Sequence, residues 1–162
     1  MIALAEGPAS LLVIFLVSLA AAAAVDVWRR QVPNTAVLAV ALSGIGAFAM
    51  TGNWELLWQP LLVAIAIIAV GVPLFARQWA GGGDIKLLAA CALWFDLSSG
   101  WKLLVAIAIA GGIETLTVLG LRRLPWSEGA RKRALLLRRG GDIPYGVAIA
   151  LGVALMAYWL RR

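Results

Sequence analysis

The chain has 162 residues, 63% of them hydrophobic and 14% charged, with a formal net charge of +6 and a mean hydropathy of +0.94. That composition lies outside the range of soluble domains and points to an integral membrane protein, in which basic residues report orientation rather than nucleic-acid binding. A single cysteine, Cys91, and the lack of histidine exclude disulfide frameworks, CxxC zinc clusters and His-activated serine or cysteine nucleophiles. No metal and no cofactor are expected.

The apolar runs predict an all-α fold, one domain over residues 1–162 that forms a bundle of six transmembrane helices. Met1 to Ser10 carries Glu6 and no basic residue, unlike the basic start of a secretory signal, so the first run, 9–27, is expected to be retained. Asp26 lies at its far end. Trp28-Arg29-Arg30-Gln31-Val32-Pro33-Asn34 marks an interface, with Pro33 suited to a helix start, where its missing N–H costs nothing. The second run covers 35–50, and Thr51 to Glu55 reads as a turn. The third run covers 56–75 and is closed by Arg77, Gln78 and Trp79 before three consecutive glycines, Gly81 to Gly83, that end on Asp84. A fourth, short run covers 84–97, and Asp96 to Trp101 is expected to be a polar loop. The fifth and sixth runs cover 102–121 and 143–160, with a basic loop, 122–142, between them. Most of the eight tryptophans fall near span ends, as a belt at headgroup level requires.

Charge orients this frame. The loops after helices one, three and five, together with Lys86, hold 11 of the 14 basic residues. The positive-inside rule then places those loops in the cytosol and both termini outside. Asp26 and Asp84, 58 positions apart, come to the same cytosolic face. Charged groups within membrane segments default to function, although acids near helix ends also cap helices or pair with basic neighbours. Two carboxylates held close share one proton, and such a pair activates water without metal or histidine.

The local motifs carry more information than the charges. Asp26 followed by Arg29-Arg30 and Val32-Pro33-Asn34 resembles the D…(I/V)PN signature of type IV prepilin peptidases. Gly81-Gly82-Gly83-Asp84-Ile85-Lys86 is similar to their GxGDxK motif, that of the GxGD intramembrane aspartic proteases. Ile143-Pro144-Tyr145-Gly146 resembles the motif opening the family's last helix. The resemblance covers essentially the whole chain. It implies that Asp26 and Asp84 are the catalytic pair and that the substrate is a prepilin or pilin-like precursor, cut on the cytosolic side between a basic leader and a hydrophobic helix. Larger members carry an extra cytosolic domain with two CxxC pairs and methylate the new N-terminus. This chain resembles the short branch serving Flp/Tad-type pili, and methyltransferase activity is expected to be absent.

The remaining candidates have two readings each. Gly81 and Gly83 either present backbone to an extended substrate or form a hinge at the helix start. Lys86 orients a carboxylate or snorkels to headgroups. Pro33, Asn34, Pro144 and Tyr145 read as helix-start devices, the last pair also as candidates to line the substrate groove. Glu114, inside the fifth span, either reaches the site or hydrogen-bonds a neighbouring helix, the second being preferred. Gly111-Gly112 suits close helix packing, and Cys91 reads as a small core residue. The basic segment from Arg122 to Asp142 is expected to anchor topology first and to contact anionic membrane lipid second. A rival function is a small transporter or pilus-assembly scaffold that uses the acids for proton coupling or helix docking; no inverted repeat is visible between residues 1–80 and 81–162.

Overall fold

In the computed structural model the described residues are 7–126 and 143–160, the side chain of Leu160 excepted. Glu6, the basic positions from Arg131 to Arg139, Arg161 and Arg162 lie outside them. Among the described residues the fold is all-α, with six α-helices. These are α1 (Ala9–Arg29), α2 (Asn34–Thr51), α3 (Trp58–Ala76), α4 (Gly82–Ala92), α5 (Leu97–Arg123) and α6 (Tyr145–Leu160).

The chain breaks between helices where local chemistry demands it. Pro8 and Pro33, both extended, stand immediately before α1 and α2, because proline cannot give the N–H an interior helical position needs. Gly52 ends α2 in the left-handed region at φ 71°, which a residue without Cβ adopts freely. A single 3-10 turn, Trp54–Leu56, then leads into α3.

Four of these helices are long and apolar enough to cross a membrane: α1, α2, α3 with its preceding turn, and α5. Their outward faces are apolar: Val17, Leu42, Ile65, Val72, Ile113 and Leu116 are each more than half exposed. A soluble protein does not present such a surface; a membrane protein turns it to lipid. Seven of the eight tryptophans are exposed as well. Trp94 departs from the interface expectation. It is 1% exposed, stacks on Phe15 at 4.5 Å between ring centroids, and donates its indole N–H to the Val40 carbonyl at 3.3 Å. It therefore joins α1 and α2 to the end of α4, whose last turn gives way to the turns Leu93–Phe95.

Two boundaries differ from the sequence reading. The fourth helix stops at Ala92 with 11 residues, about 17 Å at 1.5 Å per residue, little over half a hydrocarbon core of about 30 Å. Asp96 to Trp101 is not a loop: α5 begins at Leu97, with Asp96 as its N-cap. The Asp96 carboxylate accepts from the Ser99 N–H at 2.9 Å and from the Ser98 and Ser99 hydroxyls, so polar residues that read as loop are the capping chemistry of a helix. Partial burial pushes this carboxyl up, but the hydrogen bonds it accepts, those from Ser99 and Ser98 among them, outweigh that and hold it at about 2, below its ordinary 3.8.

Packing places the short helix centrally. α1 packs against α2 and α6, α5 against α6, and α4 inserts between α2 and α3. Among the described residues the tightest approach to a neighbouring backbone is at Gly152 of α6, where an added Cβ would stand 2.8 Å from the Ile107 backbone of α5. Gly111 makes only ordinary contact with Ala148 and Tyr145, and Gly112 faces open space, so the expected glycine pair contributes less to helix packing than Gly152. Cys91 is fully buried in the core.

Candidate active site

Asp26 is carried inward by the periodicity of α1. Leu12, Phe15, Leu19 and Ala22 are all buried, in steps of three and four that trace one helix face. The next step of four lands on Asp26, which is 5% exposed. The face that builds the core thus ends in a carboxylate.

Asp84 arrives from the other direction, in the first turn of α4. Its side chain turns back over the N-cap residue Gly81, where an added Cβ would stand 2.5 Å from Oδ2. Gly81 itself has φ −71° and ψ 133°, a conformation open to any residue, so what glycine supplies here is room for the carboxylate. Gly83 supplies room of another kind: a Cβ there would stand 3.0 Å from the Cβ of Val32, so the start of α4 rests on the α1–α2 connector.

The two aspartates line one cavity of about 740 Å³, together with Gly81, Arg30, Gln78, Trp79, Ile143 and Tyr145. A smaller cavity of about 300 Å³ also touches both, with Gly83, Asn34 and Lys86 on its wall. The carboxylates are near enough to interact electrostatically. Pro33 and Pro144 line neither cavity. Pro33 is the N-cap of α2, and Pro144 is buried immediately before α6.

The start of α6 completes the arrangement. Gly146 donates its backbone N–H to Asp26 Oδ2 at 3.0 Å. It is one of the N–H groups that a helix leaves without an internal partner at its first turn, and here a buried carboxylate takes it. A Cβ on Gly146 would stand 3.0 Å from that same oxygen.

Glu114 is an electrostatic neighbour of this group. It interacts with the backbone N–H of Ala148 and with the charges of Asp26, Arg30 and Asp84, yet it lines neither cavity, and its Oε2 is buried without a hydrogen-bond partner. Among the described residues no three His, Cys, Asp or Glu side chains gather as a metal site would require.

Sequence reasoning missed Arg30, Gln78 and Gly146 as parts of the site. Arg30 and Gln78 are the non-glycine residues with positive φ among those described, at 54° and 60°, and both line the larger cavity. Backbone strain of this kind collects at functional sites. The Arg30 N–H closes α1 onto the Asp26 carbonyl at 2.9 Å, while both terminal guanidinium nitrogens are buried without a hydrogen-bond partner. The signal for Arg30 was its place just after Asp26, at the basic end of the first apolar run. Gln78 gave none, since its turn depends on how α3 meets α4.

The family model described as the type IV leader peptidase family matches residues 13–120. The chain belongs to the type IV leader peptidase family. No curated protein and no solved structure gives a match. Membership makes the chain a peptidase acting on a protein substrate. The matched span encloses Asp26, Arg30 and the glycines leading to Asp84, whereas α6, which supplies the Gly146 N–H, lies beyond it.

Proposed function

We propose that this leader peptidase is a six-span intramembrane aspartic endopeptidase of the short, Flp-serving kind, which removes the basic leader of prepilins without methylating the new N-terminus. The observation that carries the reading is the convergence of Asp26 and Asp84 on one cavity from helices far apart in sequence. Their place at one end of the bundle agrees with the charge-based orientation, in which that end faces the cytosol and both termini lie outside. Four helices meet the length for crossing a membrane. In this reading α4 and α6 are the two shorter spans, α4 enclosed between α2 and α3 and α6 turning Leu151 and Leu155 outward to lipid.

In the mechanism, one aspartate of the pair is ionised and takes a proton from a water held between the two. The water oxygen bonds to the scissile carbonyl carbon while the protonated aspartate gives its proton to the carbonyl oxygen. The tetrahedral intermediate then breaks its C–N bond. The first aspartate protonates the departing amine, and the second recovers a proton from an intermediate hydroxyl. The Gly146 N–H fixes Asp26 without consuming the proton the chemistry needs. Lys86, Asn34 and Tyr145 shape the walls around the peptide.

The test is cleavage of a pilin-like precursor in membranes carrying the protein. Asp26→Asn and Asp84→Asn should each abolish processing while the protein still inserts; normal processing by either variant would remove that residue from the mechanism. Glu114→Gln should retain substantial cleavage, because the residue lines neither cavity and the amide still accepts from Ala148.

A further inference from the structure

Beyond the polar chamber, a second cavity of about 800 Å³ opens between α3 and α5. It exists because α3 packs mainly on α4 and α5 mainly on α6, leaving α3 and α5 in sparse contact. One wall is a stripe on α3, Leu62, Ala66 and Val70. Their spacing of four keeps them on one face, and the stripe continues to Leu74, a run of about 18 Å at 1.5 Å per residue. The facing wall is α5, through Trp101 and Leu104, and the floor includes Ile85 and Leu88 of the short α4.

Two features indicate what fills this cleft. The first is continuity. Trp79, Ala80, Asp84 and Tyr145 line both the cleft and the polar chamber, so the apolar trough begins where the aspartate pair ends. The second is polarity. Among the described residues Asp84 is the one charged side chain on the cleft wall. An extended peptide there would leave its N–H and C=O groups without partners, at a cost of several kcal/mol each in a hydrocarbon environment, whereas an α-helix satisfies them internally.

We propose that the α3–α5 cleft is the docking site for the apolar helical segment that follows the scissile bond of the substrate. The substrate stays helical along Leu62 to Val70 and unwinds only where it crosses Asp84 into the polar chamber. Ala66 on the cleft wall lets the substrate helix approach closely, while the room at Gly100 is taken by Val63 of α3. The proposal rests on the peptidase reading above and adds where the membrane part of the substrate sits.

The test uses the full chain in proteoliposomes and a precursor made of a basic leader followed by a 20-residue apolar helix, the length a membrane span needs (about 20 residues). A photo-crosslinking residue is placed at Val70, at Leu104, or at Leu42 on the outward face of α2. Crosslinks from Val70 and Leu104 to the apolar segment, and few from Leu42, are expected. Ala66→Trp, which fills the cleft, should raise KM about tenfold more than Leu42→Trp does. Equal crosslinking from Leu42, adducts at Val70 and Leu104 with lipid alone, or an unchanged KM for Ala66→Trp would each overturn the cleft proposal while cleavage persists. A precursor left whole by the unsubstituted protein would sink the peptidase reading and this proposal with it.

Discussion

Gly146→Ala separates catalytic geometry from stability at a single methyl group. An ideal Cβ at this position stands 3.0 Å from Asp26 Oδ2, 3.1 Å from its Cβ and 3.3 Å from its Cγ, while ordinary contact begins at 3.4 Å. Asp26 and the helix start must therefore part by about 0.4 Å, which also lengthens the 3.0 Å hydrogen bond from the Gly146 N–H. Misplacement by about 1 Å costs an enzyme roughly a hundredfold, so a shift of this size should lower kcat about tenfold with KM little changed. Fold stability should move by less than about 1 kcal/mol, because the helix preference of Ala over Gly, up to about 1 kcal/mol, opposes the low end of overpacking strain, about 1–3 kcal/mol. The assay is precursor cleavage over a range of substrate concentrations, beside thermal unfolding in the same detergent. Full kcat in a normally folded Gly146→Ala protein would refute the claim that the start of α6 positions Asp26.

Gly152→Ala should show the opposite pattern. Its Cβ meets the Ile107 backbone at 2.8 Å, where nothing flexible can yield, so unfolding should become easier by about 1–3 kcal/mol while cleavage well below the melting point is nearly normal. Trp94→Ala should cost about 3 kcal/mol, the low end for a large buried aromatic because lipid rather than water surrounds the bundle; detergent unfolding reads it, and a smaller loss than from an exposed tryptophan such as Trp28 would contradict the core assignment. Arg30→Met should leave stability equal or higher, since it removes buried guanidinium nitrogens that lack hydrogen-bond partners, yet lower cleavage, because a cationic residue is lost from the cavity wall; unchanged activity would exclude Arg30 from the site. Asp96 has a carboxyl held at about 2 against an ordinary 3.8. A lowered value means that its stabilising contribution is complete above the ordinary value and is lost as pH falls from there toward 2. Unfolding measured across that window should therefore show a pH dependence that Asp96→Asn removes.

What could be read from the sequence were features set by local chemistry. Hydropathy sufficed for the helices, since every apolar run of membrane length must satisfy its own backbone. The 3-4-3-4 spacing from Leu12 through Phe15, Leu19 and Ala22 already contains the burial of Asp26, because a helix repeats its inward face whatever it packs against. The motif around Asp84 pointed to the family for the same local reason. The early end of α4 was harder to see, because it follows from Trp94 seeking Phe15 on α1 and the Val40 carbonyl on α2. The polar residues from Asp96 to Gly100 looked like a loop because a cap and a loop use the same side chains, and only the direction of the next helix distinguishes them.

The tertiary structure alone decided how the site is assembled. Gly146 stands 120 positions from Asp26, and nothing in the spacing of either predicts that the free N–H of one helix start will meet the carboxylate closing another. The same holds for the room Gly81 leaves for Asp84 Oδ2, the left-handed turn at Gln78 and the cleft between α3 and α5. Each depends on where two helices cross, and crossing points come from the packing of many side chains at once.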